Sequence, residues 1–344
     1  MEYYDWNKTF SYSRARWVIV ISARRYGKTY GLRRQCVKDY IKRGERFVEI
    51  ARFKSEVQTI GRGYFDMLQK NNEFPEHEFK YEANIFYIRK VGSEEDWEVL
   101  GYLLALTDEQ IIKRITFTNV KRFIFDEGLI EHKDRYKRYL PREFDRMVGL
   151  RTSVTGENPN NPSNAIVYIL GNAVDYTCPY FEALGIKKLP GYGRHNYRGG
   201  EVLLDYVEPI YYDEYIKGTV VGRAMADTKE GDKLFKNEFL ADNELYVEKK
   251  PQGSKFWRGY VFSGHTFALW FGPDNLCYVT NKAPKNATLK AFTLDDDSID
   301  YDLIRKSGHD SKMLRELFYK KFMRYQTPLI RERYSDMLLS LGIV

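Results

Sequence analysis

Residues 17–29, WVIVISARRYGKT, decide how this chain is read. Trp17-Val18-Ile19-Val20-Ile21 is an unbroken apolar run, the pattern of a short strand covered on both faces. It leads directly into Ser22-Ala23-Arg24-Arg25-Tyr26-Gly27-Lys28-Thr29, a near match to the phosphate-binding loop G-x-x-x-x-G-K-[ST]. A tight loop between a strand and a helix turns successive backbone N–H groups toward one point, where the helix N-terminus adds positive potential. On this reading Ser22 to Thr29 cradle the phosphates of ATP, Lys28 reaches the β- and γ-phosphates, and the Thr29 hydroxyl holds Mg²⁺. Ser22 stands where the pattern has its first Gly, and Ser does not take a positive φ as cheaply. For Gly27-Lys28-Thr29 alone, a strand followed by a basic turn is the competing reading. The context favours the loop, because Leu32, Cys36, Val37, Tyr40 and Ile41 recur at helical spacing up to Gly44.

The second pattern is Arg122-Phe123-Ile124-Phe125-Asp126-Glu127-Gly128. An apolar strand ending in Asp-Glu is what a nucleotide hydrolase places beside its phosphate loop. Asp126 is then expected to coordinate Mg²⁺ and Glu127 to polarise the attacking water as general base. Taken alone, the same residues read as a strand that ends in acids at a surface turn. Ala165 to Leu170 is a further buried strand, and Asn172 at its end is either a sensor of the γ-phosphate or a cap or turn residue.

Between these strands the region from His132 to Arg151 carries seven cations, among them Arg146 and Arg151. Such a run is usually a solvated helix face. In a ring-forming ATPase a neighbouring subunit must also supply a cation for transition-state charge, and Arg151, then Arg146, are the expected residues. Lys113 and Arg114 could serve the same neighbour.

Composition is compatible with this reading. The 344 residues suffice for two domains, and a hydrophobic content of 43% is ordinary for a globular protein. Lys plus Arg exceed Asp plus Glu by 55 to 48, a moderate excess that suits a polyanionic partner. Aromatic content is high, with 28 Tyr and 21 Phe, most of them expected in the core. Cys36, Cys178 and Cys277 fit no metal or disulfide framework and point to a reducing compartment. There is no run of membrane-spanning length and no signal peptide, so a soluble intracellular protein is expected.

Further strands are expected at Arg46 to Arg52, Ile85 to Ile88, Val99 to Leu106 and, at an edge, Val202 to Val207. These complete an α/β ATPase domain over residues 1–211 with a mainly parallel sheet. Residues 212–243 read as a linker with a small helical unit. From Leu245 the pattern becomes short alternating strands, Lys255 to Phe262, Thr266 to Phe271 and Leu276 to Thr280, followed by two helices. Residues 244–344 are therefore expected to form a small α+β domain.

With those residues assembled, the chain resembles the DNA-packaging ATPases of phi29-like podophages. The resemblance extends over most of the chain and rests on SARRYGKT, FIFDEG, NAVDYTCPYF, YVEKKPQGSKF and HTFALWF. It implies an additional-strand, catalytic-glutamate P-loop ATPase that drives double-stranded DNA into a procapsid. It also implies a homopentameric ring docked at the portal vertex in the host cytoplasm, with a structural packaging RNA as a possible further partner. The last domain would be an RNase H-like, vestigial nuclease that binds nucleic acid without cutting it. Asp295, Asp296 and Asp297 are consecutive, whereas a metal nuclease needs convergent acids from separate strands, so cleavage is not expected. Lys54 and Arg62, ordinary surface charges if taken singly, become candidates for gripping the DNA backbone in the ring pore. Two other readings share the sequence patterns: a different ring-forming translocase or helicase, and a non-catalytic nucleic-acid-binding scaffold whose phosphate loop is degenerate at Ser22.

Overall fold

Six parallel strands form the centre of a nine-stranded sheet in the first of two units, Met1–Leu240. The structure is a computed structural model that describes residues 4–12, 14–23, 26–108, 116–130, 139–140, 142–173, 178–186, 190–208, 218–225, 228, 246–291, 301–303 and 308–343. The strands of the first unit are β1 (Trp17–Ile21), β2 (Arg46–Ala51), β3 (His77–Glu82), β4 (Ile85–Lys90), β5 (Glu98–Ala105), β6 (Val120–Phe125), β7 (Ile166–Gly171), β8 (Gly193–Tyr197) and β9 (Val202–Tyr206). They lie in the order β3-β4-β5-β2-β6-β7-β1-β9-β8. All neighbours from β5 to β9 pair in parallel, while β3, β4 and β8 are antiparallel additions at the two edges.

The apolar runs predicted as buried strands are buried on both faces. In β1, Ile19 and Ile21 enter one core and Val18 and Val20 the other; β7 divides Val167 and Ile169 from Tyr168 and Leu170 in the same way. Period-two alternation between two apolar layers is why these strands lack polar positions.

Two sequence expectations need correction. β6 does not lie beside β1, because β7 is inserted between them and pairs with both. This is the additional strand that the resemblance implies. The edge strand expected at Val202 to Val207 is interior: β9 pairs with β1 on one side and β8 on the other, and all five of its residues are buried. β8, GRHNY, escaped notice because it lacks an apolar face and is only half-covered.

Helices α1 (Trp6–Phe10), α2 (Lys28–Arg43), α3 (Lys54–Arg62) and α4 (Asp66–Lys70) precede the antiparallel edge; α5 (Glu143–Thr155) and α6 (Pro179–Leu184) follow β6 and β7. α2 ends at Gly44, whose φ of 64° and N–H bond to the Tyr40 carbonyl close the last turn. Most of the expected linker, 212–243, lies outside the described residues. Within it, α7 (Val220–Ala224) is capped by Thr219. No described helix is long and apolar enough to cross a membrane.

The second unit, Ala241–Val344, carries β10 (Lys255–Phe262), β11 (His265–Phe271), β12 (Cys277–Thr280), β13 (Leu289–Ala291), β14 (Tyr301–Leu303) and β15 (Met323–Tyr325). β10, β11 and β12 form the expected antiparallel meander; β13 joins β10 in parallel and β14 joins β13 in parallel. The first of the two expected helices is α8 (His309–Tyr319), and β15 follows it, adding to β12 in parallel. α8 and α9 (Pro328–Ser340) cover the sheet through Leu314, Leu317, Tyr334 and Met337. Asp295, Asp296 and Asp297 lie outside the described residues.

Candidate nucleotide site

At its described residues, the segment after β1 turns from strand into helix. Gly27 takes a φ of 78° at the N-cap of α2, a conformation that would strain any residue with a Cβ. Ser22 does not share that demand: it is absent from the residues of positive φ, it is fully buried, and its N–H bonds to the Gly171 carbonyl at 3.2 Å. The missing first glycine therefore carries no conformational penalty here. Trp6 donates its indole N–H to the Lys28 carbonyl (2.9 Å), and the Tyr4 N–H bonds to the Tyr26 carbonyl (3.0 Å). The N-terminal segment thus holds the loop from behind. Ala23 is buried, Tyr26 and Thr29 are half-buried, and Arg24 and Arg25 lie outside the described residues.

Lys28 is 7% exposed, and its Nζ donates a 2.8 Å hydrogen bond to Oδ1 of Asn172, just beyond β7. Register explains the meeting. Ile21 pairs with Gly171 and Ile169 with Phe125, so the chain leaves β1, β7 and β6 along one edge of the sheet. Asp126 and Glu127 emerge two strands from the loop, roughly 10 Å from strand axis to strand axis. That separation admits a triphosphate between the Lys28 ammonium and the two carboxylates. Register places Lys28, Thr29, Asn172, Asp126 and Glu127 at the carboxyl ends of neighbouring parallel strands, and the crevice outside such ends is where α/β sheets bind ligands.

The Asp-Glu turn is tightly built. Asp126 Oδ1 accepts the Glu127 N–H at 3.0 Å, Glu127 has a φ of 52°, and the Gly128 N–H bonds to the Leu170 carbonyl at 2.8 Å. A Cβ on Gly128 would approach Ile169 Cγ2 to 2.5 Å, so the third residue of Asp-Glu-Gly is glycine for lack of space. Glu127 is exposed and Asp126 half-buried.

Sequence reasoning missed Arg52, the residue that follows β2. Its guanidinium pairs with Glu143 (Nε to Oε2, 3.0 Å) and donates from Nη2 to the Gly128 carbonyl (3.0 Å), with longer bonds of 3.4 Å to the Glu127 carbonyl. Glu143, 1% exposed, also accepts from Tyr180 Oη and from the Leu140 N–H. Burial alone would lower the pKa of Arg52, but the Glu143 carboxylate offsets it and the net shift is upward. The turn bearing Glu127 thus rests on a buried, charge-compensated arginine. Glu56 Oε2 in turn accepts the N–H groups of Arg52 and Phe53 (both 3.0 Å). A cation at the carboxyl end of a strand neighbouring Asp-Glu is the clue the sequence offered.

The arginine expected to act on a neighbour, Arg151, is corrected by the structure. It is 6% exposed, ion-paired with Glu157, and donates from Nη2 to the Ala165 carbonyl at 3.0 Å. It ties α5 to the strand that follows and does not reach outward. Arg146 is half-buried on the same helix, and Lys113 lies outside the described residues. Lys54 and Arg62 are exposed at opposite ends of α3, about 12 Å apart along its axis. The crevice does not gather them.

For a metal, the site offers the Thr29 hydroxyl and the Asp126 carboxylate, both hard oxygen donors. Among the described residues no three His, Cys, Asp or Glu side chains converge. A cation held by so few protein ligands must take most of its coordination from phosphate and water, which suits Mg²⁺.

Comparison with known proteins agrees with this geometry. The family profile described as Podovirus DNA encapsidation protein (Gp16) matches residues 1–340. The chain is 26% identical over 345 residues to the DNA packaging protein of Bacillus phage phi29, covering 99% of this chain and 98% of that one. It is 28% identical over 328 residues to the DNA packaging protein of Bacillus phage B103, covering 94% and 97%. The fold matches a chain of the bacteriophage Phi-29 viral genome packaging motor assembly with a TM-score of 0.68, at 24% identity, over 99% of this chain and 100% of the other.

Proposed function

The chain belongs to the podovirus DNA encapsidation protein family, and we propose that it is an ATP hydrolase that drives double-stranded viral DNA into a preformed procapsid. DNA packaging is the function named for its relatives along nearly their whole length. The observation that carries the enzymatic reading is the Lys28–Asn172 contact beside the Asp126-Glu127 turn.

ATP lies with its triphosphate on Ser22 to Thr29. Thr29 and Asp126 would hold Mg²⁺, which would supply charge neutralisation for the phosphates. Glu127 accepts a proton from the attacking water, whose oxygen forms the new bond to the γ-phosphorus. The bond from that phosphorus to the β,γ-bridging oxygen breaks, and ADP leaves with the electron pair. Lys28 stabilises the charge on the phosphoryl oxygens, and Asn172 both orients Lys28 and faces the γ-phosphate. Arg52 holds the Glu127 backbone in place and touches no substrate.

The functional assembly is a homopentameric ring at the portal vertex in the host cytoplasm, with a packaging RNA as a further partner. Each site is completed by a cation from the next subunit, Arg146 or Lys113, since Arg151 is engaged internally. Lys54 and Arg62, exposed on α3, contact the DNA backbone. The second unit contributes nucleic-acid binding without cleavage. The scaffold alternative loses its motive, because Ser22 fits the loop without strain.

The deciding experiment is steady-state ATPase of the full chain with duplex DNA and procapsids, for wild type, Lys28→Ala and Glu127→Gln. Both variants should lose about 10²-fold or more. Equal rates in all three refute the hydrolase assignment, and turnover with DNA protection that needs no procapsid favours a different translocase.

A further inference from the structure

A cleft of about 1030 Å³ opens directly off the phosphate loop and runs along α2 toward α4. Lys28 and Thr29 form its mouth; Arg33, Arg34, Tyr64 and Glu73 line it further in. Three of the lining residues are cations, and the two beyond the loop, Arg33 and Arg34, are each paired with a carboxylate. Thr29 and Arg33 share a helix face one turn apart, about 6 Å along the axis.

Arg33 is held with care. Its Nη2 pairs with Glu49 Oε1 at 2.6 Å, and its guanidinium lies over the Tyr64 ring at 4.2 Å. Glu49, 1% exposed in the middle of β2, accepts the Tyr64 hydroxyl at 2.9 Å through its other oxygen. Yet Arg33 Nε is buried and has no hydrogen-bond partner among the described residues. A guanidinium held on one side by Glu49 and bordering an open cleft with the remainder of its side chain can receive an oxyanion. Arg34 borders the same space, its Nε paired with Glu73.

We propose that this cleft is a product subsite, in which inorganic phosphate released at Thr29 is taken up by Arg33 and leaves along α2. The inference rests on the hydrolase reading above, since that reaction supplies the phosphate. Its chemistry is simple: a tetrahedral dianion passes from one set of N–H donors to the next, with no bond made or broken. Glu49 tempers the affinity by sharing the guanidinium, so the anion is received and let go.

The test is a calorimetric titration of inorganic phosphate into the ADP–Mg²⁺-loaded full chain, with ADP binding measured alongside. Glu49→Gln frees the guanidinium and should tighten phosphate binding several-fold. The double variant Arg33→Gln/Glu49→Gln, which leaves no unpaired buried charge, should weaken it about tenfold, as expected for the loss of a charge-assisted hydrogen bond. Opposite signs are the mark of a binding role, because a purely structural pair would be damaged in the same direction by both. A kinetic arm tells product from free phosphate. With DNA and procapsids, phosphate release followed by a fluorescent phosphate-binding protein should lag quench-flow cleavage in the double variant and not in wild type. Binding unaffected by either substitution, weakened by both, or release that keeps pace with cleavage in the double variant overturns the subsite. A wild-type chain that binds ADP but no phosphate does the same and leaves the hydrolase reading standing; one that binds neither overturns both.

Discussion

Lys28 Nζ donates to Asn172 Oδ1 at 2.8 Å, joining the loop after β1 to the end of the strand inserted beside it. The ammonium thus has the neutral side chain of Asn172 as a partner. A neutral amide can yield the lysine to a phosphate, whereas a carboxylate would compete for it.

That contrast gives the first prediction. Asn172→Asp should convert the contact to an ion pair, raise KM for ATP and lower turnover. Asn172→Ala should chiefly lower kcat, by about 10- to 100-fold for a lost charge-orienting bond. Steady-state kinetics separate the two, and variants with identical KM would show that Asn172 does not govern Lys28.

Arg52 gives a second. Arg52→Ala leaves Glu143 buried and uncompensated, and should cost about 3–5 kcal/mol in stability. Arg52→Met combined with Glu143→Gln removes both charges and should recover much of that loss. It should not recover turnover, because the carbonyls of Glu127 and Gly128 still lack their donor. Thermal unfolding alongside ATPase measurement checks both halves, and recovery of full turnover in the double variant would remove Arg52 from any positioning role.

Arg151 gives a third, opposite in kind. Arg151→Ala breaks the bonds to Glu157 and the Ala165 carbonyl and should lower Tm by several degrees, as about 1–3 kcal/mol would. Rings mixed from Arg151→Ala subunits and wild type should hydrolyse ATP in proportion to the folded fraction. A mixing curve steeper than that proportion would restore Arg151 as the residue acting on its neighbour.

The cysteines give a fourth. Burial pushes the thiols of Cys36 and Cys277 up to about 12, and all three cysteines are buried and outside any disulfide. A thiol whose folded pKa is raised favours folding while it stays protonated. That contribution is complete below the unfolded value of about 8.5 and is lost as pH climbs toward 12. Stability should therefore fall across that window, and thiol reagents should label Cys36 and Cys277 at neutral pH only as fast as the chain opens. Prompt labelling of the native protein would contradict their burial.

Much of this was legible in the residues themselves. The apolar runs at 17–21, 123–125 and 165–170 read as strands covered on both sides, since neither face carries a charged position. Gly27-Lys28-Thr29 required a left-handed turn into a helix, and Asp126-Glu127 marked the end of a strand. These are local demands, met by the chain within a few residues, and local pattern reveals them.

Which strands are neighbours is not local. Periodicity assigns a strand to two apolar layers but says nothing of its place in the sheet, so the insertion of β7 between β1 and β6 emerged only in three dimensions. The same holds for Arg52 and Arg151. Each is one basic residue among 55 in the sequence. What separates a support for the Glu127 turn from a tie between α5 and the following strand is the carboxylate that waits for it, Glu143 in one case and Glu157 in the other. Arg52 and Glu143 are far apart in sequence, so their pairing depends on which surfaces the fold brings together, and only the tertiary structure decided that.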